Sequence, residues 1–249
     1  MEKTISQIKS FYRNDRIAHS YIDERFSKPL GKIQHKIQVA IINNTIDKFN
    51  AQSILEVACG PARLTTEIRA RKLGIAIDSS HHMLQIAKHR INRDANWLFI
   101  QTDAFNPGIR QRFQLIYSLR FIRHFEFRER IKIYRVISSL LRSGGIFIFD
   151  AVHFGKNCVV RKLENKNQKE IYDKIYDAPK EIINELKSAG FEVLDLKATV
   201  NHFYLQAIIS RLSSLINFQK FGSKIIYKLE KVPFCRPLEW IVICKKISI

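Results

Sequence analysis

The chain has 249 residues, 46% of them hydrophobic, and its 42 Lys and Arg against 23 Asp and Glu give a formal net charge of +19. That length and apolar fraction are enough for a filled core and exclude a disordered chain, while only 9 Gly and 6 Pro speak against a repeat or low-complexity architecture. The charge excess favours anionic partners (nucleic acid, phosphorylated metabolites or an anionic membrane surface), and its spread of about +4, +3, +5, +1 and +6 over successive fifty-residue blocks excludes a basic tail.

Residues 1 to about 50 read as helical. Ile5, Ile8, Phe11 and Tyr12 recur at helical spacing, and Ile33, Ile37, Val39, Ala40, Ile41, Ile46 and Phe49 form a longer stripe. Between them Tyr21–Gly31 is a mixed segment, and the whole region is expected to cover a ligand site or to pack on a sheet. Met1–Gln7 lacks an apolar signal core and no run of about 18 apolar residues occurs, so a cytoplasmic location without a transmembrane helix is expected. Cys59, Cys158, Cys235 and Cys244 are scattered, with no Cys-x-x-Cys pair and no His at metal spacing; neither a metal site nor a disulfide framework is expected.

From residue 52 strands and helices alternate. Ser53–Ala58 reads as a buried strand, followed by a turn of small residues and a helix over Ala62–Arg71 with Leu64, Ile68 and Ala70 facing inward. Strand Gly74–Asp78 is followed by Ser79 and Ser80, good N-caps, and helix His81–Arg90. Strand Trp97–Thr102 ends in Asp103, and strand Gln114–Ser118 follows a basic turn. Helix Phe127–Arg142 should be stopped by Ser143-Gly144-Gly145, ahead of strand Ile146–Ala151. After a polar stretch, Gly155–Lys169, come helix Pro179–Ala189, strand Phe191–Lys197 and a last apolar strand, Trp240–Cys244. Such alternation implies a parallel sheet with helices on both faces, whose ligands sit outside the carboxyl ends of the strands. Glu56, Asp78, Asp103, Ser118 and Asp150 all fall near those ends.

Between the last two strands lies an insertion, too long for a turn. It holds an apolar helical segment, Phe203–Ile216 with Arg211 as its single charge, and then a basic one, Lys220–Lys231. Three readings fit it: a lid over an apolar substrate, an interfacial helix whose cations meet anionic lipid, or a helix packed on the domain or on a second subunit.

Three signatures, in this order and at these spacings, resemble those of class I S-adenosylmethionine-dependent methyltransferases, close to the small-molecule branch that includes ubiquinone and menaquinone methyltransferases. They are Glu56-Val57-Ala58-Cys59-Gly60-Pro61-Ala62, Ile77-Asp78 and Leu140-Leu141-Arg142-Ser143-Gly144-Gly145. The resemblance spans roughly residues 20–200 and the final strand. It implies a Rossmann-like, doubly wound, mostly parallel seven-stranded sheet with helices on both faces. One methyltransferase domain would then comprise a helical cover (1–50), a cofactor-binding core (51–198), a helical insertion (199–238) and the final strand (239–249).

The resemblance further implies S-adenosyl-L-methionine as cofactor. Glu56 would orient its methionine end, Asp78 would take both ribose hydroxyls, and Asp103 with the backbone of Ala104 would meet the adenine amine. Ala58 and Gly60 would form the close turn, Ser79 and Met83 would flank the ribose acid, the backbone of Ser118 would hold the amino group and Arg25 the carboxylate. The family's Gly-x-Gly-x-Gly appears as Ala58-x-Gly60-x-Ala62, which a turn tolerates if φ is negative at the alanines. A dinucleotide dehydrogenase is disfavoured, because Arg63 occupies the sixth position of its glycine motif.

Methyl transfer from a sulfonium is an in-line displacement and needs a nucleophile held about 3–3.5 Å from the methyl carbon. His124 is the first candidate for a base or orienting group, Arg120 and Arg123 for binding an anionic substrate group, with His153 and Asp150 in reserve and Tyr172 and Tyr176 as pocket or packing residues. The expected acceptor is a small or lipid-like metabolite. An RNA or peptide methyltransferase using the basic surface is the alternative, although Ser118-Leu119-Arg120-Phe121 replaces an Asn-Pro-Pro-Tyr-type motif; a non-catalytic cofactor-binding protein is the third reading.

Overall fold

The computed structural model describes residues 21–23, 26–92, 96–153, 176, 178–233 and 237–247. Arg25, Cys158, Tyr172, Cys235, the polar stretch and the first helical stripe lie outside the described residues. In chain order the elements are α1 (Pro29–Lys48), β1 (Ser53–Val57), β2 (Leu73–Asp78), α2 (His81–Arg90), β3 (Trp97–Gln101), β4 (Phe113–Ser118), α3 (Phe127–Leu140), β5 (Leu141–Val152), α4 (Pro179–Ser188), β6 (Phe191–Thr199), α5 (Phe203–Leu215), α6 (Gln219–Glu230) and β7 (Glu239–Lys246).

The seven strands form a sheet in the order β3-β2-β1-β4-β5-β7-β6. The first five pair in parallel, and β7 runs antiparallel to both β5 and β6, so the sheet is mixed at one end. The strand order reverses between β1 and β4, which places a switch-point crevice beyond their carboxyl ends. Every residue of β1 is buried, as expected for a central strand covered on both faces. Ile42 and Ile46 of α1 and Leu84 of α2 pack on one face with Ile54, Leu115 and Ile148; Ile133, Tyr134 and Ile137 of α3 and Ile182 and Leu186 of α4 pack on the other with Leu55, Ile116 and Phe147.

Local chemistry sets the helix ends. Pro29 and Pro179 open α1 and α4, where a missing N–H costs nothing. The Ser80 hydroxyl accepts a hydrogen bond from Met83 N at 3.3 Å, and the Glu129 carboxylate accepts one from Glu126 N at 3.1 Å. Gly74 is required by packing: a Cβ there would lie 2.5 Å from the Trp97 ring.

Two local expectations are corrected. The helix expected over Ala62–Arg71 is only a 3-10 turn, Thr65–Glu67, after which Ile68 is extended (φ −88°, ψ 128°). Ala62 sits at φ +57°, which no helix accepts; Thr65 and Thr66 are β-branched, and Thr65 spends its hydroxyl on Glu56. The α3 helix ends at Leu140, and Ser143-Gly144-Gly145 lies inside β5, at a bulge where pairing shifts from Phe113–Leu141 to Leu115–Ile146.

Candidate active site

A cleft of about 760 Å³, open solvent included, lies at the switch point. One side is built by residues just beyond β1 and at the end of β2 and start of α2: Ala58, Gly60, Asp78, Ser79 and Met83. Thr102, Asp103, Ala104 and Phe105, just after β3, form its end. The opposite side comes from the turn after β4, with Leu119, Arg120, Phe121, His124 and Phe125, and Tyr21 of the cover segment also lines it. Phe105, Phe121 and Phe125 make an edge-to-face aromatic wall, their ring centroids 5.1 Å (Phe105–Phe125) and 4.8 Å (Phe121–Phe125) apart.

Asp78 ends β2 with both carboxylate oxygens engaged by backbone: Oδ2 accepts from Gly60 N and Oδ1 from Ser80 N, each at 2.8 Å. The carboxylate therefore ties the turn after β1 to the start of α2, and each oxygen retains acceptor capacity. Burial raises its pKa, while the amides of Ser80, Gly60 and Ser79 favour the charged form. Gly60, at φ +55°, faces open space, because a Cβ there would meet nothing within 4 Å. Asp103 Oδ1 accepts from Phe105 N at 3.0 Å and fixes the turn that presents Ala104.

The alanines do not meet the condition expected of them. Ala58 and Ala62 both stand at φ +57°, in the left-handed region where a Cβ costs about 1–2 kcal/mol. At Ala58, which lines the cleft, glycine removes that strain but loses about 0.4–1 kcal/mol to unfolded-chain entropy. Ala58→Gly is therefore expected to raise stability by roughly 0.5–1 kcal/mol, a Tm rise of about 1–4 °C. Ala62→Gly also forfeits a buried methyl, worth about 0.8 kcal/mol, and is expected to be close to neutral. A lower Tm for Ala58→Gly, measured by thermal melting, would refute the left-handed assignment.

Glu56 is buried, and its Oε2 accepts from Thr65 Oγ1 at 2.5 Å and Tyr117 Oη at 2.8 Å. Burial raises its pKa to about 7, against the two hydroxyl donors, which favour the charged form. A folded-state value above the ordinary 4.5 means that stability from this group is full below about pH 4.5 and is lost as pH rises toward about 7. The stability difference between the natural chain and Glu56→Gln, followed by urea denaturation, is expected to fall by on the order of 3 kcal/mol across that window; a flat difference would show that Glu56 does not titrate there.

A second polar cluster backs the cleft under α1. Asp150, fully buried, accepts from Arg120 N at 2.6 Å and from Arg123 Nη1 at 2.9 Å. Arg123 Nη1 also reaches Glu239 at 3.3 Å, and Glu239 accepts from Gln34 and Gln38 of α1. Desolvation and the neighbouring Asp150 raise the Glu239 pKa, while Arg123 and Arg120 oppose the shift. Next to it Arg63 is buried, its guanidinium donating to Gln38 Oε1 at 2.9 Å, 2.9 Å from His35 Nδ1 and 4.1 Å from the Phe26 ring. Burial lowers its pKa to about 10.

Residues 54–145 match the family model described as "Methyltransferase domain". Over that stretch the chain is similar to methyltransferase domains. The fold agrees with methyltransferase crystal structures at low identity. The magnesium protoporphyrin IX methyltransferase of Synechocystis with bound S-adenosylhomocysteine superposes with TM-score 0.67 at 12% identity, covering 98% of this chain and 100% of that one. An S-adenosylmethionine-dependent methyltransferase of Clostridium acetobutylicum gives 0.60 at 17% identity, covering 86% and 92%. The N-methyltransferase NodS of Bradyrhizobium japonicum with S-adenosylhomocysteine gives 0.58 at 10%, covering 93% and 99%. A comparison with the curated proteins finds no match.

Seven of the expected cofactor residues line the cleft: Ala58, Gly60, Asp78, Ser79, Met83, Asp103 and Ala104. Glu56 and Ser118 lie behind it. The Ser118 hydroxyl donates to Val57 O at 2.8 Å and ties β4 to β1. Of the expected catalytic residues, His124 lines the cleft on the 3-10 turn Ile122–His124. Arg123 belongs to the cluster behind it, and His153 lies beside Trp240, ring centroids 5.6 Å apart. Tyr176 packs in the core, its hydroxyl bonded to Glu185 and to Tyr134.

Sequence reasoning missed the aromatic wall, although each Phe lies shortly after a strand end, where ligands collect. Glu239 carried no signal, because its partners come from α1 and the turn after β4. Arg120 is unusual: it lines the cleft at φ +63°, its amide is pinned by Asp150, and its buried Nε has no hydrogen-bond partner among the described residues.

Proposed function

We propose that the chain is an S-adenosylmethionine-dependent methyltransferase acting on a small or lipid-like acceptor with an apolar body and an anionic group. The observation that carries the reading is the cleft itself. It lies at the switch point of the sheet, walled by Phe105, Phe121 and Phe125, with Arg120 and His124 lining it as polar groups. The residues present also fit the cofactor: a buried carboxylate, Asp78, lines the crevice beside a glycine that leaves open space, and Asp103 and Ala104 close the end expected to meet adenine.

The chemistry that the bound cofactor supplies is a methyl carbon activated by a sulfonium. Asp78, whose carboxylate oxygens are held by Gly60 N and Ser80 N, would accept the two ribose hydroxyls with its remaining acceptor capacity. Glu56, buried behind the turn, would face the methionine end of the bound cofactor, whose positive charge would favour its ionised form. The Phe wall excludes water and orients the acceptor; Arg120 holds its anionic group; His124 accepts a proton when the nucleophile is a protonated oxygen or nitrogen.

The test has two steps. Calorimetry with S-adenosylhomocysteine checks the cofactor, and absence of binding by the folded protein would sink the reading. Transfer of labelled methyl is then followed to apolar carboxylate- or phosphate-bearing small molecules, to total RNA and to peptides; labelling of RNA or peptides alone would overturn the acceptor class. For an active acceptor, His124→Asn is expected to lower turnover by roughly 10²-fold or more with cofactor affinity unchanged. Unaltered turnover would remove His124 as a base.

A further inference from the structure

The α5 helix is folded inside out. Its buried residues are Gln206, Ser210 and Ser213, whereas Leu205, Ile208, Leu212 and Leu215 point outward, with Leu215 80% exposed. The polar side is turned inward for specific reasons. Ser210 Oγ accepts from Leu30 N at 3.2 Å, Gln206 donates to Glu230 at 2.7 Å, and Ser213 packs so tightly on Gly222 of α6 that a Cβ there would lie 2.2 Å from its hydroxyl. The outward apolar positions follow the 3.6-residue period and make one continuous stripe, extended past the helix end by Ile216 and Phe218.

Charge says what covers this stripe. Across 203–232 the chain carries five cations, Arg211, Lys220, Lys224, Lys228 and Lys231, against one acid, Glu230. That acid is already engaged within the fold: its carboxylate accepts from Val200 N, Asn201 N and Gln206. Lys220 and Lys224 line a shallow groove with Lys32, walled by Phe218 and Phe221. A second copy of this chain would bring lysines against lysines, and a nucleic acid offers no apolar medium for Leu and Ile side chains. A bilayer with acidic headgroups meets both requirements at once. No described helix is long and apolar enough to cross a membrane, which leaves contact along its surface.

We propose that the outward face of α5 and α6 docks on an anionic membrane surface, with the Leu205–Leu215 stripe in the headgroup–acyl boundary and the α6 lysines among the phosphates. The full-length protein is mixed at about 0.15 M salt with sedimentable vesicles of phosphatidylcholine alone or with a quarter phosphatidylglycerol. Binding to the anionic vesicles only is expected, at least tenfold weaker for the exposed-site double variant Leu212→Ser/Leu215→Ser and for Lys220→Glu/Lys224→Glu. Cofactor affinity, measured in parallel, is expected to be unchanged in both. No vesicle binding, or binding that ignores the leucine variant and so reflects net charge alone, would overturn the proposal. So would a dimer in sedimentation velocity that the leucine variant dissolves, because the face would then belong to a second copy.

Discussion

Asp78→Ala is expected to weaken S-adenosylhomocysteine binding by about 1–3 kcal/mol, a 5- to 150-fold rise in Kd by calorimetry. The effect has two sources. The substitution deletes the acceptor proposed for the ribose, and it strips Gly60 N and Ser80 N of their shared carboxylate, so the turn after β1 and the start of α2 lose their tie. Asp78→Asn separates them. Its amide keeps one oxygen to accept from one of the two N–H groups, so it should melt closer to the natural protein than Asp78→Ala while still losing affinity. Unchanged affinity in both variants would show that the ribose assignment is wrong.

The largest effect on stability is expected at Glu185. Arg130 donates from Nε to its Oε1 at 2.8 Å and from Nη2 to its Oε2 at 2.6 Å, with both side chains less than a tenth exposed. The third arm, Nη1, donates to Phe125 O at 2.8 Å, and Tyr176 Oη donates to the same carboxylate. Glu185→Ala leaves a buried guanidinium stripped of its carboxylate, which typically costs about 3–5 kcal/mol. Urea denaturation should read that loss; a change below about 1 kcal/mol would mean that Arg130 finds water or another acceptor. The Glu185→Leu/Arg130→Met double variant should recover most of the stability, because no charge is stranded. Because Phe125 carries the aromatic wall, the single variant is also expected to loosen the cleft.

Side-chain types at strand ends made much of the site legible. Acidic residues following apolar runs put Asp78 and Asp103 at strand ends, which the strand order brings to the crevice, and Ser80 announces α2 through its cap. The helix expected after β1 failed because a local pattern of Leu64, Ile68 and Ala70 does not reveal that Ala62 is left-handed; the backbone there is set by Asp78 holding Gly60 and by Arg63 drawn under α1. Arg120 fails in the same way, since its φ of +63° comes with an amide held by Asp150, 30 residues on. Arg123 read as a substrate-binding cation and is instead bonded to Asp150 and Glu239, the second lying 116 positions away.

The amino-acid order by itself determined the alternation of strands and helices and the acidic residues that follow the apolar runs, because those depend on hydrophobic period and on caps within a few residues. The tertiary structure alone decided which polar groups face the cleft and which lie buried behind it, because each of those assignments depends on partners from distant elements. It also decided that α5 turns its serines inward and its leucines outward. Hydropathy measures how apolar a helix is, and only packing against Leu30, Gly222 and Glu230 selects the side that stays in contact with the outside.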